Sequence, residues 1–309
     1  MPRSLMGRIQ TALMIAPMPR VLLQRKTFLI RRGLPVTLCP AGGTSMEIRH
    51  VAASAGDSSR VQGVATSQLV NPAPPEGLRS TPSGHTRDLV PQHLLPTGDR
   101  IQARSIPSGS DAIWREDPSI ITTLIVTSAK GRIEVMTNDS KSGVMELNRF
   151  GAITLWPGVK FRILEHDGDI VQLQRNIRNL TQEELERRPV EGVESFSRVQ
   201  DPNDHTIFDI LPPTAQPGFE VKVVEGFVDN NNHYHETFDE AYYCVEGRAV
   251  VRLRPHTDKE AHHRQLSAGS CATIPKYTDH KVVGGTPDNR VMVFYWPRFN
   301  GENDYHAAG

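Results

Sequence analysis

From about residue 100 onward, apolar positions fall in runs of four to seven residues, rich in β-branched side chains and cut by glycine and proline. In the first half these runs are Ile120–Val126, Arg132–Met136, Ala152–Trp156 and Ile170–Gln174. In the second they are Val221–Val224, Ala241–Val245, Ala249–Leu253, Cys271–Ile274 and Val291–Trp296. Short runs bounded by turn residues predict strands. No stretch of twelve or more residues carries apolar positions at helical spacing in either half. Between the halves, Thr181-Gln-Glu-Glu184 ahead of Leu185 has the form of a capping box, which predicts a short helix ending by Pro189. Many short strands with almost no helix predict an all-β chain of sandwiches or barrels.

The two halves repeat one plan. Gly131-Arg-Ile-Glu-Val matches Gly247-Arg-Ala-Val-Val, and Gly151-Ala-Ile-Thr-Leu-Trp-Pro157 matches Gly269-Ser-Cys-Ala-Thr-Ile-Pro275. The offsets are 116 and 118 residues, the difference falling in a loop, where insertions are tolerated. Two glycine-anchored blocks in the same order predict a duplicated β domain.

The N-terminal third reads differently. Residues 1–46 hold seven basic residues and no acidic one, so that, with 35 of each sign in the whole chain, the remainder carries a net −7. An arginine-bearing, acid-free start interleaved with Leu, Met and Ile has the composition of an organelle transit peptide; the alternatives are a disordered leader and an upstream start codon. Its longest uncharged apolar-rich run, Ile9–Pro19, spans 11 residues against the ~20 a spanning helix needs. From Gly56 to Pro96 the chain is Ser-, Pro-, Gly- and Thr-rich without period, and cannot bury enough apolar surface to offset its ordering entropy. Residues 1–95 are therefore expected to be a disordered leader. The balanced total charge gives no field to steer nucleic acid or an anionic membrane. Three cysteines, Cys39, Cys244 and Cys271, are too few for a disulfide framework. The expected setting is cytoplasmic, or mitochondrial if the leader is a transit peptide.

The chemistry concentrates in the second half. Gly226 is followed by His233-Tyr-His235, Glu240 and Gly247, and Gly269 by Pro275 and His280. On an extended chain His233 and His235 face one side. Three imidazoles and a carboxylate make a mixed N/O set suited to a divalent transition metal. This pattern resembles the two signature motifs of the cupin superfamily, G-(x)5-H-x-H-(x)3–4-E-(x)6-G and G-(x)5-P-x-G-(x)2-H-(x)3-N. The chain departs from them in one extra residue before His233, in Tyr277 at the glycine after the proline, and in Gly284 at the final asparagine. The resemblance, which covers about residues 205–298, implies two jelly-roll (cupin) β-barrels in tandem behind the long disordered segment. It divides the chain into a leader (1–95), a first cupin (96–178), a linker with the short helix (179–203), a second cupin (204–299) and a frayed tail (300–309). It implies His233, His235, Glu240 and His280 as ligands of one divalent metal, Fe(II) first and Mn, Zn or Ni as alternatives. The repeat offsets place Asp117, Ser119, Leu124 and Arg162 at the equivalent points of the first half, a set that cannot hold a metal. The first cupin is thus expected to be degenerate.

An ion held by four protein ligands retains two adjacent positions. Two reaction classes use them: dioxygenase-type oxidation on Fe(II), and Lewis-acid isomerisation, epimerisation or lysis of a small carbonyl or sugar-like compound. A non-catalytic metal- or ligand-binding cupin is the third reading. Tyr242, which shares the parity of Glu240, and Tyr277 are the candidate proton carriers. The expected partner is a small-molecule substrate, with no nucleic acid, no membrane, and a homodimer as the candidate assembly. Cys244 and Cys271 are expected in the core, and His256, His262 and His263 in a solvated loop.

Overall fold

The computed structural model describes residues 49–52, 80–81, 84–201, 204–211, 217–297 and 304–308. The predicted transit segment and most of the leader lie outside these residues. Strands dominate. The runs Ile120–Val126 and Cys271–Ile274 form strands with the predicted limits, and Val291–Trp296 extends by one residue to Arg290. The helix is Gln182–Glu186, and its capping box is present: Thr181 Oγ1 accepts from Glu184 N at 3.2 Å, and Glu184 Oε2 accepts from Thr181 N at 2.8 Å. No described helix is long and apolar enough to cross a membrane.

The first half folds as one ten-stranded sheet, in which Arg100–Arg115 and Lys160–Asn176 are long enough to serve both walls of a barrel. The second half separates those walls into a six-stranded and a five-stranded sheet. Each encloses its own apolar interior. Leu124, Val126, Ile133, Val135, Ile153 and Leu155 pack inside the first. Tyr242, Cys244, Val251, Leu253, Ala272 and Ile274 pack inside the second. Alternation puts the other faces of the same strands into a third cluster shared by both halves, with Ile101, Val171 and Leu173 against Phe219, Val221, Tyr243, Phe294 and Trp296. Tyr243 spans this seam, donating to Asp169 Oδ2 at 2.9 Å while accepting from Arg87 at 3.2 Å. Arg149 also pairs with Glu246 across the seam, but such half-exposed ion pairs add little beside the buried apolar area.

Two expectations about the chain's ends are corrected. The described residues of the expected leader belong to the fold: Arg49–Ala52 pairs with Val193–Ser197, itself in the expected linker, Ser80–Thr81 pairs with the strand Gly84–Asp88, and residues 84–95 pack into the core. Gly84–Asp88 is a strand on Arg100–Arg115, Leu89, Val90 and Leu95 are buried in the shared cluster, and Leu94 O accepts from Trp296 Nε1 at 2.9 Å. Leu94 and Leu95, separated by one turn from Leu89 and Val90, are too few to show a period, so composition hid a segment that tertiary packing orders. The described tail is not frayed either: Asp304 is 2% exposed, and His306–Ala307 is a strand on His233–Tyr234. Its burial comes from partners some seventy positions away, which no local pattern shows.

Leu89→Ala should destabilise the protein by about 2–4 kcal/mol through cavity formation. The fall in denaturation midpoint measures it, and an unchanged midpoint would return residues 84–95 to the leader.

Candidate metal centre

His233, on the short strand His233–Tyr234, lies directly opposite His280, on the strand Thr278–Gly285. His235 follows in the loop, and Glu240 stands near the start of the strand Asp239–Glu246. Gly247 closes that strand at φ 70°, a left-handed turn; a Cβ there would come within 2.9 Å of the Asn289 Cα, so glycine is required. Tyr277, where the motif has glycine, takes φ 62°, the conformation a glycine would adopt there. Its backbone N–H donates to His235 O at 2.7 Å and its hydroxyl to Glu236 O at 3.1 Å, fixing the loop that carries His235.

The structure gathers His233, His235, Glu240 and His280 so that one donor atom from each lies within 4.8 Å of the others, all four residues buried. Among the described residues this is the one such group of three or more donors. The outer nitrogens explain the inner ones. His233 Nδ1 faces Asn231 O at 2.8 Å, His235 Nδ1 faces Asp304 O at 2.6 Å, and His280 Nδ1 faces Thr278 O at 2.9 Å. A carbonyl only accepts, so each Nδ1 carries the hydrogen and each Nε2 turns a lone pair inward. Glu240 Oε2 lies 2.9 Å from His280 Nε2 and 3.4 Å from His235 Nε2. Both Glu240 Oε2 and His280 Nε2 are buried without a hydrogen bond of good geometry. Such a concentration of lone pairs is costly to bury unless a cation sits among them, and the donor set fits a divalent transition ion.

The electrostatics agree. Burial alone would raise the Glu240 carboxyl, but His280 and His235 overcome it and hold the group well below the usual carboxylate range. Burial pushes His233 down to about 3, with His280 adding to the effect. His235 moves up despite burial, because Glu240 draws the proton toward it. Burial, reinforced by the nearby Glu240 carboxylate, lifts the Tyr242 and Tyr295 phenols well above their ordinary value.

The structure places the two candidate proton carriers differently. Tyr242 lies inside the barrel against Glu240, while the Tyr277 hydroxyl is taken by a main-chain carbonyl. Sequence reasoning missed Tyr295, Glu220, Lys222 and Asp304. Glu220, Tyr295 and Glu240 form one row across three paired strands. Lys222 lies 3.4 Å from both Glu220 and Asp209 on the same face. The polar residues at alternate positions of an apolar run, Glu220-Val-Lys222-Val, were the available signal. His256 is not simply solvated, since its Nε2 lies 2.8 Å from Asp279 Oδ1. Cys244 and Cys271 are buried as expected.

Strand register revises the match between the halves. Phe150 N donates to Val126 O and Val126 N to Gly151 O, as Gly269 N does to Cys244 O and Cys244 N to Ser270 O. Phe150, at φ 59°, therefore corresponds to Gly269, and the sequence match through Gly151 is one residue late. The bulge at Arg132/Ile133 likewise matches the bulge at Val250/Val251, so Gly131 corresponds to Ala249 and not to Gly247. Glu240 then corresponds to Thr122 rather than Leu124, and His280 to Phe161 rather than Arg162. His233, opposite His280, corresponds to Arg115, opposite Phe161, which leaves Asp117 as the counterpart of His235 in place of Ser119. The glycine signal misled because Phe150 tolerates the left-handed turn. The consequence stands: arginine, threonine and phenylalanine occupy three of the four points.

No protein-family model matches the chain, and no curated protein matches it. Solved structures do. The vicilin of hazelnut, Corylus avellana, superposes with TM-score 0.53 at 11% identity over 72% of this chain and 82% of its own. The vicilin of tomato, Solanum lycopersicum, gives 0.53 at 13% over 72% and 83%. The formate complex of Lactobacillus farciminis oxalate decarboxylase gives 0.50 at 12% over 80% and 89%. At such identities the likeness concerns the fold alone.

In metal-free protein at pH 5, His233 should keep a neutral imidazole in 15N spectra while His235 is protonated. Its pKa of about 3 lies below that of an exposed imidazole, so acidification reaches it late. A His233 that titrates near its ordinary value would refute the buried donor cluster.

Proposed function

We propose that the chain is a cupin of two barrels, a reading that its motifs and its likeness in fold to vicilins and an oxalate decarboxylase support, and that its second barrel is a metal-dependent oxidoreductase centre of dioxygenase type, with Fe(II) held by His233, His235, Glu240 and His280. The observation that carries this reading is the inward convergence of three Nε2 lone pairs and one carboxylate, each imidazole oriented by a carbonyl behind it. Fe(II) there would supply adjacent positions at which a small chelating substrate and dioxygen meet.

The chain's own residues do the rest. Glu240 stays ionised at neutral pH because His280 and His235 favour its charge, while the Tyr242 and Tyr295 phenols stand close enough to feel that charge. Phe238 packs on His235 with ring centroids 4.2 Å apart and meets Tyr295 edge-on at 5.2 Å, an aromatic wall that excludes water beside the ligands. Both tyrosines hold their protons at neutral pH, so neither acts as a base. Substrate activation by a phenolate is therefore not part of this reading.

One observation supports a second, redox-neutral reading. Burial raises the Glu220 carboxyl despite Lys222, and Glu220 stands one strand beyond Tyr295 in the row that leads to Glu240. A protonatable acid at that distance suits isomerisation or lysis of a carbonyl compound. The first barrel, in either reading, packs against the second and carries no metal.

Protein purified without added metal should contain about one transition ion per chain, His280→Ala should lose it, and Asp117→Ala should keep it. Equal loss in both variants would overturn the single-site assignment. Substrate-dependent oxygen uptake supports the oxidoreductase, whereas turnover under nitrogen supports the redox-neutral reading in its place.

A further inference from the structure

We infer that the C-terminal segment is a working part of the metal centre, with Asp304 as the residue that positions the ligand His235. This rests on the proposal that His233, His235, Glu240 and His280 hold a metal.

The three ligand imidazoles are oriented by carbonyls, but not by equivalent ones. Asn231 and Thr278 each stand two residues before the histidine they orient, so the local loop supplies those carbonyls. The carbonyl behind His235 comes from Asp304, 69 positions away and at 2.6 Å, the shortest of the three. That carbonyl is itself held in place. The Asp304 carboxylate accepts from Glu236 N at 2.9 Å, from Thr237 N at 2.7 Å and from Thr237 Oγ1 at 2.7 Å. Both donors directly follow the His235-bearing position, so side chain and main chain of one residue clamp the same short loop. His306 Nε2 stands 3.1 Å from Asp304 Oδ1 on the remaining side.

The neighbours extend the contact. His306–Ala307 pairs with His233–Tyr234, so the strand bearing His233 is flanked by the His280 strand on one edge and the tail on the other. Tyr305 lies flat on the His233 ring, centroids 4.2 Å apart at 18°, with 43% of its surface still exposed. One face of that phenol covers a ligand while the other meets solvent, which makes Tyr305 the outer cover of the ligand cluster. Asp304, buried to 2%, does not reach the metal donors itself; its effect passes through the His235 tautomer and ring angle. Groups that hydrogen-bond the outer nitrogen of a metal-bound histidine commonly change metal affinity by ~10- to 100-fold.

The test uses the full chain and Co(II) as the probe. Asp304→Ala should weaken Co(II) binding, measured against a chromophoric chelator, by ~10- to 100-fold and alter the Co(II) ligand-field spectrum. In the metal-free variant, 15N spectra should show His235 losing its Nδ1–H form while His233 and His280 retain theirs. Asp304→Asn, which keeps an oxygen acceptor, should restore most of the affinity. Thr237→Ala, which removes one of the anchoring bonds, should give a smaller loss in the same direction and serves if Asp304→Ala does not fold. Wild-type protein that binds no Co(II) would defeat the metal-centre proposal, and this inference with it. Tight wild-type binding, with Asp304→Ala and Thr237→Ala both unchanged in affinity and His235 tautomer, would overturn the positioning role alone.

Discussion

Three imidazoles and one carboxylate turn their lone pairs toward one another inside an apolar barrel. That conflict organises the second half of this protein. The surroundings sustain it: carbonyls hold the imidazole hydrogens outward, and burial removes the water that would otherwise satisfy the donors. A buried arrangement of this kind is unfavourable alone and favourable around a cation.

The duplication shows what the same framework does without that demand. The first barrel keeps the strand order, the bulge and the left-handed turn, yet fills the corresponding interior with Leu124, Phe161 and their neighbours. Thr122 and Phe161 in place of Glu240 and His280 convert a charged cluster into ordinary packing. The two barrels then share a third apolar cluster, built from the alternate faces of strands whose first faces are already inside a barrel. The seam is continuous core, and the N-terminal residues Leu89, Val90 and Leu95 belong to it.

Much of this was legible in the residues. Short β-branched runs placed the strands, Thr181 and Glu184 placed the helix, and the spacing of His233, His235, Glu240 and His280 identified the group that the fold gathers. The failures share a cause. Matching Gly151 with Gly269 assumed that a left-handed turn needs glycine, and Phe150 shows that it does not. That one-residue slip moved the counterpart of His280 from Phe161 to Arg162, and the match of Gly131 with Gly247, two residues out, displaced the other three equivalences. Asp304 and Tyr305 were read as polar tail because nothing adjacent in the chain marks them.

Periodicity, turn residues and the spacing of chemically distinctive side chains are local quantities, and they determined the all-β class, the doubling and the identity of the donors. Which carbonyl orients His235, which row of strands joins Glu220 to Glu240, and which end of the chain closes over the ligands were decided only in three dimensions. The physical reason is that hydrogen bonds and ring stacking act over a few ångströms in space whatever the separation along the chain. Residues 235 and 304 leave no trace of each other in composition or period, and only the folded backbone brings them together.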